Sequence, residues 1–193
     1  MLNFICGDIM KLVLASNSPR RKELLEKAGF KFEIISSDYD EKGFSDNPIV
    51  TAETFAVGKA QAVFNAVKGR VAVIGADTVV FEGGEILGKP KSKEEAEKML
   101  KRLSGRTHSV VTGYAVITSD KIISGSVTTE VTFNNLSDEL IGEYIKSGLY
   151  KGKAGSYGIQ DPFPLVKSYK GSLTNVIGLP IETIVPILEK IVK

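Results

Sequence analysis

The chain has 193 residues, a nearly balanced charge of 25 Lys and Arg against 23 Asp and Glu, one cysteine and one histidine. That length buries a real core in one enzyme-sized unit, and the balance argues against a general nucleic-acid-binding surface, where basic residues stand in clear excess. With only Cys6 and His108 available, an internal disulfide and a zinc site built on cysteine or histidine are excluded, and the cysteine usage points to the cytoplasm.

Residues 1–9 have neither a basic start nor a long enough apolar run for a signal peptide, and Met10-Lys11 directly precedes the first strand-like segment. They are expected to be an N-terminal extension without chemistry, ahead of a single domain over residues 10–193. No apolar run approaches the roughly 18 residues a membrane helix needs, so no membrane partner is expected. A strand is predicted at Lys11–Ala15, then a helix with Ser18 as N-cap, Pro19 in the first turn and Gly29 as its stop. A polar stretch over residues 36–48 opens a second helix, Val50–Val67. Residues 71–90 read as a β-branched hairpin turning at Gly83-Gly84, followed by a helix at Lys93–Leu103. Residues 109–133 read as two long strands around a turn at Ser119-Asp120, and a helix follows at Asp138–Ser147. The C-terminal part holds a glycine-rich loop at residues 151–160, a short strand pair and a last helix after Pro180. This order predicts an α/β fold with a mixed, twisted sheet flanked by helices, and a cleft between two lobes.

The helix from Lys93 follows helix electrostatics. Ser92 and Glu95 form a capping box, Glu94 and Glu95 sit at the positive end, and Lys101 and Arg102 at the negative end. The first helix breaks the rule by crowding Arg20, Arg21 and Lys22 into its first turn, at a cost of roughly 0.3–1 kcal/mol per cation if nothing compensates. A helix N-terminus already offers free N–H groups to anions, so added cations make a phosphate site. Lys22 is also readable as a solvated charge.

Asp77 stands in an apolar run, VAVIGADTVVF, where a carboxylate is expensive to bury unless it is paired or holds a cation. It reads either as a Mg²⁺ ligand or general base near phosphate, or as a buried cap on a bend at Gly75-Ala76. Glu41 and Asp40 in the acidic stretch are candidate helpers, with a solvated loop as the alternative. The segment GGEILGKP (residues 83–90) nearly matches an ATP-binding P-loop but ends in Pro90 and closes a hairpin, which rejects that class. Lys59 and Lys89 stay as candidate phosphate contacts. The loop KGKAGSYGIQ combines Lys153 with Gly155 and Gly158 and permits close approach to a ligand. His108, alone at a strand start and without a nucleophile elbow in the chain, is expected to be structural.

In order along the chain, SNSPRRKELL, GADTVV, GKP, LSGRTHSVVTG and KAGSYGIQ resemble the Maf proteins over nearly the whole sequence. The resemblance implies a fold like that of inosine triphosphate pyrophosphatases. It implies hydrolysis of a nucleoside triphosphate to monophosphate and pyrophosphate, with a divalent cation, Mg²⁺ or Mn²⁺. It also implies a house-cleaning role and an association with inhibition of septum formation, and leaves a homodimer open. Asp77 matches the family's proton acceptor, and Asp77 with Glu41 is the site where the cation is expected. Ser16, Arg20, Arg21, Lys59 and Lys89 match residues near the triphosphate.

Three positions set the branch. The dTTP and UTP branch carries Arg, Thr and Gln, here Arg20, Thr78 and Gln160, whereas the 7-methyl-GTP branch carries Trp, Gln and Glu. A Gln amide offers a donor and an acceptor to the imide edge of uracil or thymine, while Trp stacks on a cationic methylated ring. Asp161-Pro162 follows Gln160 where the family pattern has glycine. The rival from another class is a non-enzymatic regulator of septum formation that binds DNA through its basic helix. Without a basic stripe or a helix-turn-helix pattern, no stable nucleic-acid partner is expected.

Overall fold

A computed structural model describes residues 10–43 and 45–192, so the expected extension over residues 1–9 lies outside the described residues. The strands are β1 (Lys11–Leu14), β2 (Glu33–Ile34), β3 (Val71–Glu82), β4 (Glu85–Leu87), β5 (Thr107–Ile117), β6 (Ile122–Phe133) and β7 (Val166–Lys170). The helices are α1 (Pro19–Lys27), α2 (Pro48–Ala66), α3 (Lys93–Leu103), α4 (Asp138–Ser147), α5 (Leu173–Ile177) and α6 (Ile181–Val192). One seven-stranded mixed sheet runs β2-β1-β3-β5-β6-β7, with β4 paired to β3. β1 lies parallel to β2 and β3, and the remaining pairs are antiparallel.

The long strand β3 is shared along its length. Residues 71–74 pair with β1 and residues 80–82 with β4, so Gly75–Val79 lie between the two partners, while their other edge pairs with β5. That interval at the C-terminal end of a parallel strand is the kind of place where open α/β sheets bind ligands.

Strand alternation sorts the core onto the two faces. Leu12, Leu14, Ile74 and Ala76 pack with Leu25 of α1 and with Ile184 and Leu188 of α6. Val13, Val71 and Val73 face the other way, against Ala56, Ala60 and Val63 of α2. Farther along the sheet, Val80, Val110 and Val131 pack with Leu100 and Leu103 of α3 and with Ile141 and Tyr144 of α4. Each such buried Leu or Val contributes on the order of 1.5–3 kcal/mol.

Two glycines set how closely α2 approaches the sheet. A Cβ on Gly75 would lie 2.2 Å from the Ala56 carbonyl oxygen, and one on Gly113 would lie 2.2 Å from that of Ala52. Only glycine fits there, and the short helix-to-sheet distance brings Lys59 of α2 onto β3.

Local expectations hold at several ends. Ser18 Oγ accepts from Arg21 N–H at 3.4 Å, Pro19 opens α1, and Gly29 follows its C-cap with φ +86°. The hairpin turns at Gly83-Gly84. Other details differ. α2 begins at Pro48, because Asn47 Oδ1 caps Ile49 and Val50, two residues ahead of the predicted start. Ser92 caps Glu95 as expected, but the Glu95 carboxylate accepts from the Lys91 N–H at 2.7 Å. The expected C-terminal strand pair is a single strand, β7, which pairs with β6, followed by the short helix α5. The two-residue strand β2 was not anticipated, being too short for any alternation to register. Among the described residues no helix is long and apolar enough to cross a membrane.

Candidate active site

The link after β1 and the first turn of α1 carry Ser16 to Arg21. Arg21 is stitched to three segments: Nε donates to the Gly178 carbonyl at 2.8 Å, Nη1 to Ser16 Oγ at 3.2 Å and Nη2 to Thr78 Oγ1 at 3.2 Å. The chain of donors continues inward. Thr112 O–H donates to the Asn175 carbonyl at 2.9 Å, which leaves its oxygen to accept from Thr78 O–H at 2.9 Å. Burial pulls the Arg21 pKa down, opposed by the charge of Asp77. Arg20 points elsewhere, donating from Nη2 to the Gly152 carbonyl at 3.3 Å. Lys22 pairs with Glu26 on the exposed side of α1, 3.6 Å away, and is the solvated charge of the three cations.

Asp77 and Thr78 are neighbours on β3 and so face opposite sides of the sheet. Thr78 meets Arg21. Asp77 meets α2, where Lys59 Nζ lies 2.5 Å from Asp77 Oδ1 and 2.7 Å from Glu41 Oε1. Lys89 Nζ lies 3.5 Å from the same Glu41 oxygen. The Lys59 and Asp77 side chains are 9% and 5% exposed, so this pair is desolvated. Burial works to raise the Glu41 carboxyl, but the hydrogen bond and charge of Lys59, with Lys89, hold it below the usual carboxylate range. The bend at Gly75-Ala76 that Asp77 was alternatively expected to cap is absent: β3 runs through it, and Asp77 pairs in register with Gly113.

Ser16, Arg20, Arg21 and Thr78 line one pocket of about 490 Å³. Lys59, Asp77, Glu41, Lys89 and Gln160 line it too, so every site residue expected from the sequence is gathered there. Asp40 is the exception among the helpers: it pairs with exposed Lys42 and does not line the pocket. A neighbouring pocket of about 700 Å³ shares Glu41, Asp77, Thr78 and Lys89 and adds the apolar Phe55, Ile86 and Leu87.

Among the described residues no group of three or more His, Cys, Asp and Glu converges as a metal cage. Asp77 and Glu41 nevertheless bring carboxylate oxygens to one cation, the Lys59 ammonium. Two such oxygens fit a hard divalent ion that takes one or two carboxylates and completes its shell with phosphate and water.

Sequence reasoning missed Thr112 and Asn175 and treated Asp161 only as a departure from pattern. Thr112 carried a signal, a polar residue in the apolar run VVTGYAV, as Asp77 is in its own. Asn175 carried none. His108 is structural, as expected: it is 3% exposed, its Nε2 lies 2.7 Å from the Tyr157 hydroxyl, and burial lowers its pKa to about 4.

The sequence profile of the family described as Maf-like protein matches residues 11–191. The chain belongs to the Maf-like family. Among its Maf-like relatives, a protein of Pyrococcus furiosus named dTTP/UTP pyrophosphatase is 47% identical over 184 residues, covering 93% of this chain and 94% of that one. One of Thermococcus onnurineus with the same name is 48% identical over 174 residues, covering 90% and 94%. Among solved structures, the Ham1 protein of Staphylococcus aureus overlaps 63% of this chain and 72% of its own, at 23% identity and a TM-score of 0.40. The five Maf motifs fall on this site. SNSPRRKELL supplies the β1–α1 link and most of α1, GADTVV the centre of β3, GKP the segment just after β4, LSGRTHSVVTG the approach to β5 and its first half, and KAGSYGIQ the loop after α4.

Proposed function

We propose that this chain hydrolyses dTTP and UTP to the nucleoside monophosphate and pyrophosphate. The observation that carries the reading is the convergence of Asp77 and Glu41 on Lys59 at the wall of a pocket that also holds Arg20, Arg21 and Lys89. The names of the relatives support the substrate.

Water attacks the α-phosphorus. Its oxygen forms the new P–O bond, the bridge to the β-phosphate breaks, pyrophosphate leaves with that electron pair, and the water proton passes to the Asp77 carboxylate. Lys59, Lys89 and Arg20 face the triphosphate and offset the charge that gathers on the leaving group. Arg21, already satisfied on three sides, holds Ser16 and Thr78 in place and adds its charge to the pocket. Asp77 and Glu41 would hold a divalent cation, Mg²⁺ or Mn²⁺, which would supply further charge neutralisation at the phosphates. Gln160 offers its amide to the imide edge of uracil or thymine, with Arg20 and Thr78 shaping the same pocket.

The test is a panel of UTP, dTTP, CTP, 7-methyl-GTP and ITP with Mg²⁺, reading pyrophosphate. UTP and dTTP should lead, with UMP and dTMP as co-products. Orthophosphate and UDP from UTP would overturn attack at the α-phosphorus, and preference for 7-methyl-GTP would overturn the pyrimidine assignment.

A further inference from the structure

Asp161 follows Gln160 directly and is almost wholly buried, its side chain 7% exposed. Its carboxylate gathers donors from three places. Lys153 Nζ reaches both oxygens, at 2.6 and 2.5 Å, the Tyr144 hydroxyl donates at 2.6 Å, and the Gly158 N–H at 3.0 Å. Tyr144 belongs to α4 and is fully buried in the core, so this one carboxylate fastens the loop after α4 to the rigid body of the protein. The loop is wrapped tightly on the ion pair: a Cβ on Gly158 would lie 2.8 Å from both Lys153 Nζ and Asp161 Oδ2.

Both ends of the fastened segment reach the pocket. Gln160, next to Asp161, lines it, and Gly152, next to Lys153, offers its carbonyl to Arg20 at 3.3 Å. Arg20 also feels the Asp161 charge, which opposes the effect of burial on its guanidinium. The proposed chemical centre of Asp77, Lys59 and Glu41 is held by α2, β3 and the segment before α2, and the hydrogen bonds of Asp161 run to none of these.

We propose that Asp161 is a positioning residue that sets Gln160 and Arg20 at the pocket wall and thereby governs which base is accepted. The proposal rests on the reading of the site given above. Losing this anchor acts mainly on nucleotide binding and base selection, and reaches the chemical step only through the position of Arg20, leaving the Asp77 centre in place. A purely structural ion pair would instead lower the folded fraction and reduce turnover of every nucleotide alike.

The test compares Asp161→Asn with the wild-type chain. The variant should raise KM for UTP and dTTP by about ten-fold, as expected for weakening a contact to a charged group, with kcat within roughly three-fold. The preference for UTP over CTP in kcat/KM should shrink, and amide hydrogen exchange across residues 152–160 should accelerate. Because Asp161→Asn strands the Lys153 charge, the double variant Asp161→Leu with Lys153→Met replaces the pair by apolar groups and should fold with the same raised KM. Unchanged KM and selectivity in a folded variant, or a uniform fall in kcat at constant KM, overturns the proposal. If the wild-type chain prefers another nucleotide, the substrate assignment falls, and the same comparison on that nucleotide still decides the role of Asp161. If it turns over none, the Kd for UTP by calorimetry decides in the same way.

Discussion

Lys59 of α2 and Asp77 of β3 meet as a buried ion pair, Nζ to Oδ1 at 2.5 Å, directly beside the two glycines that let α2 lie against the sheet. The pairing explains how an aspartate survives in an apolar strand, since a buried carboxylate is tolerated when it is paired and hydrogen-bonded. It also leaves that carboxylate at the wall of the pocket.

Replacing Asp77 by Asn keeps the shape and removes the proton acceptor. Turnover of UTP should fall by about 10²–10⁴, the usual contribution of a positioned acid–base group, with the circular dichroism spectrum unchanged. Turnover near that of the wild-type chain would remove Asp77 from the proposed role.

Glu41→Gln takes one of the two converging carboxylates away. The Mg²⁺ concentration for half-maximal turnover should rise by roughly ten-fold or more, as expected for loss of one ligand charge. Chelation should abolish activity of the unmodified protein, and added Mg²⁺ should restore it.

Gly75→Ala tests whether the close approach of α2 matters to the site. The added Cβ meets the Ala56 carbonyl at 2.2 Å, so α2 must move outward. Urea unfolding should show a loss of about 1–3 kcal/mol, and kcat should fall as well because Lys59 moves with the helix.

Gln160→Glu exchanges an amide that both donates and accepts for a carboxylate that only accepts. KM for UTP and dTTP should rise by about ten-fold or more, while the Asp77-dependent chemical step is retained. Equal KM values would place base recognition elsewhere.

The buried His108 predicts an acid-side loss of stability. Its pKa falls from 6.5 to about 4 because burial disfavours the charged ring. Between these values the unfolded chain binds a proton that the folded chain does not, so stability falls as pH drops from 6.5 towards 4 and levels off below. The total is on the order of 3 kcal/mol, readable as a shift in urea midpoint, and His108→Gln should remove that slope.

Much of the site was legible because its members break local rules. Arg20 and Arg21 oppose the field of their own helix, and Asp77 interrupts an apolar run, so each is costly unless something outside its segment compensates. Asp161 broke no local rule, since an aspartate before a proline in a loop is ordinary turn chemistry. Its importance appears only when Lys153 and Tyr144 are seen to converge on it.

The sequence by itself determined the order of the main strands and helices, the caps at Ser18 and Ser92 and the polar residues of the pocket. The elements, the caps and the charged pocket residues follow from periodicity, capping and charge within a few neighbouring positions, whereas Ser16, Thr78 and Gln160 are identified through the resemblance to the Maf motifs. Only the tertiary structure decided that Lys59 and not a backbone bend satisfies Asp77, and that Arg21 is a brace while Arg20 hangs on Gly152. It also decided that β7 joins the far edge of the sheet. These are contacts between residues far apart in the chain, and their energies depend on distances that no local pattern encodes.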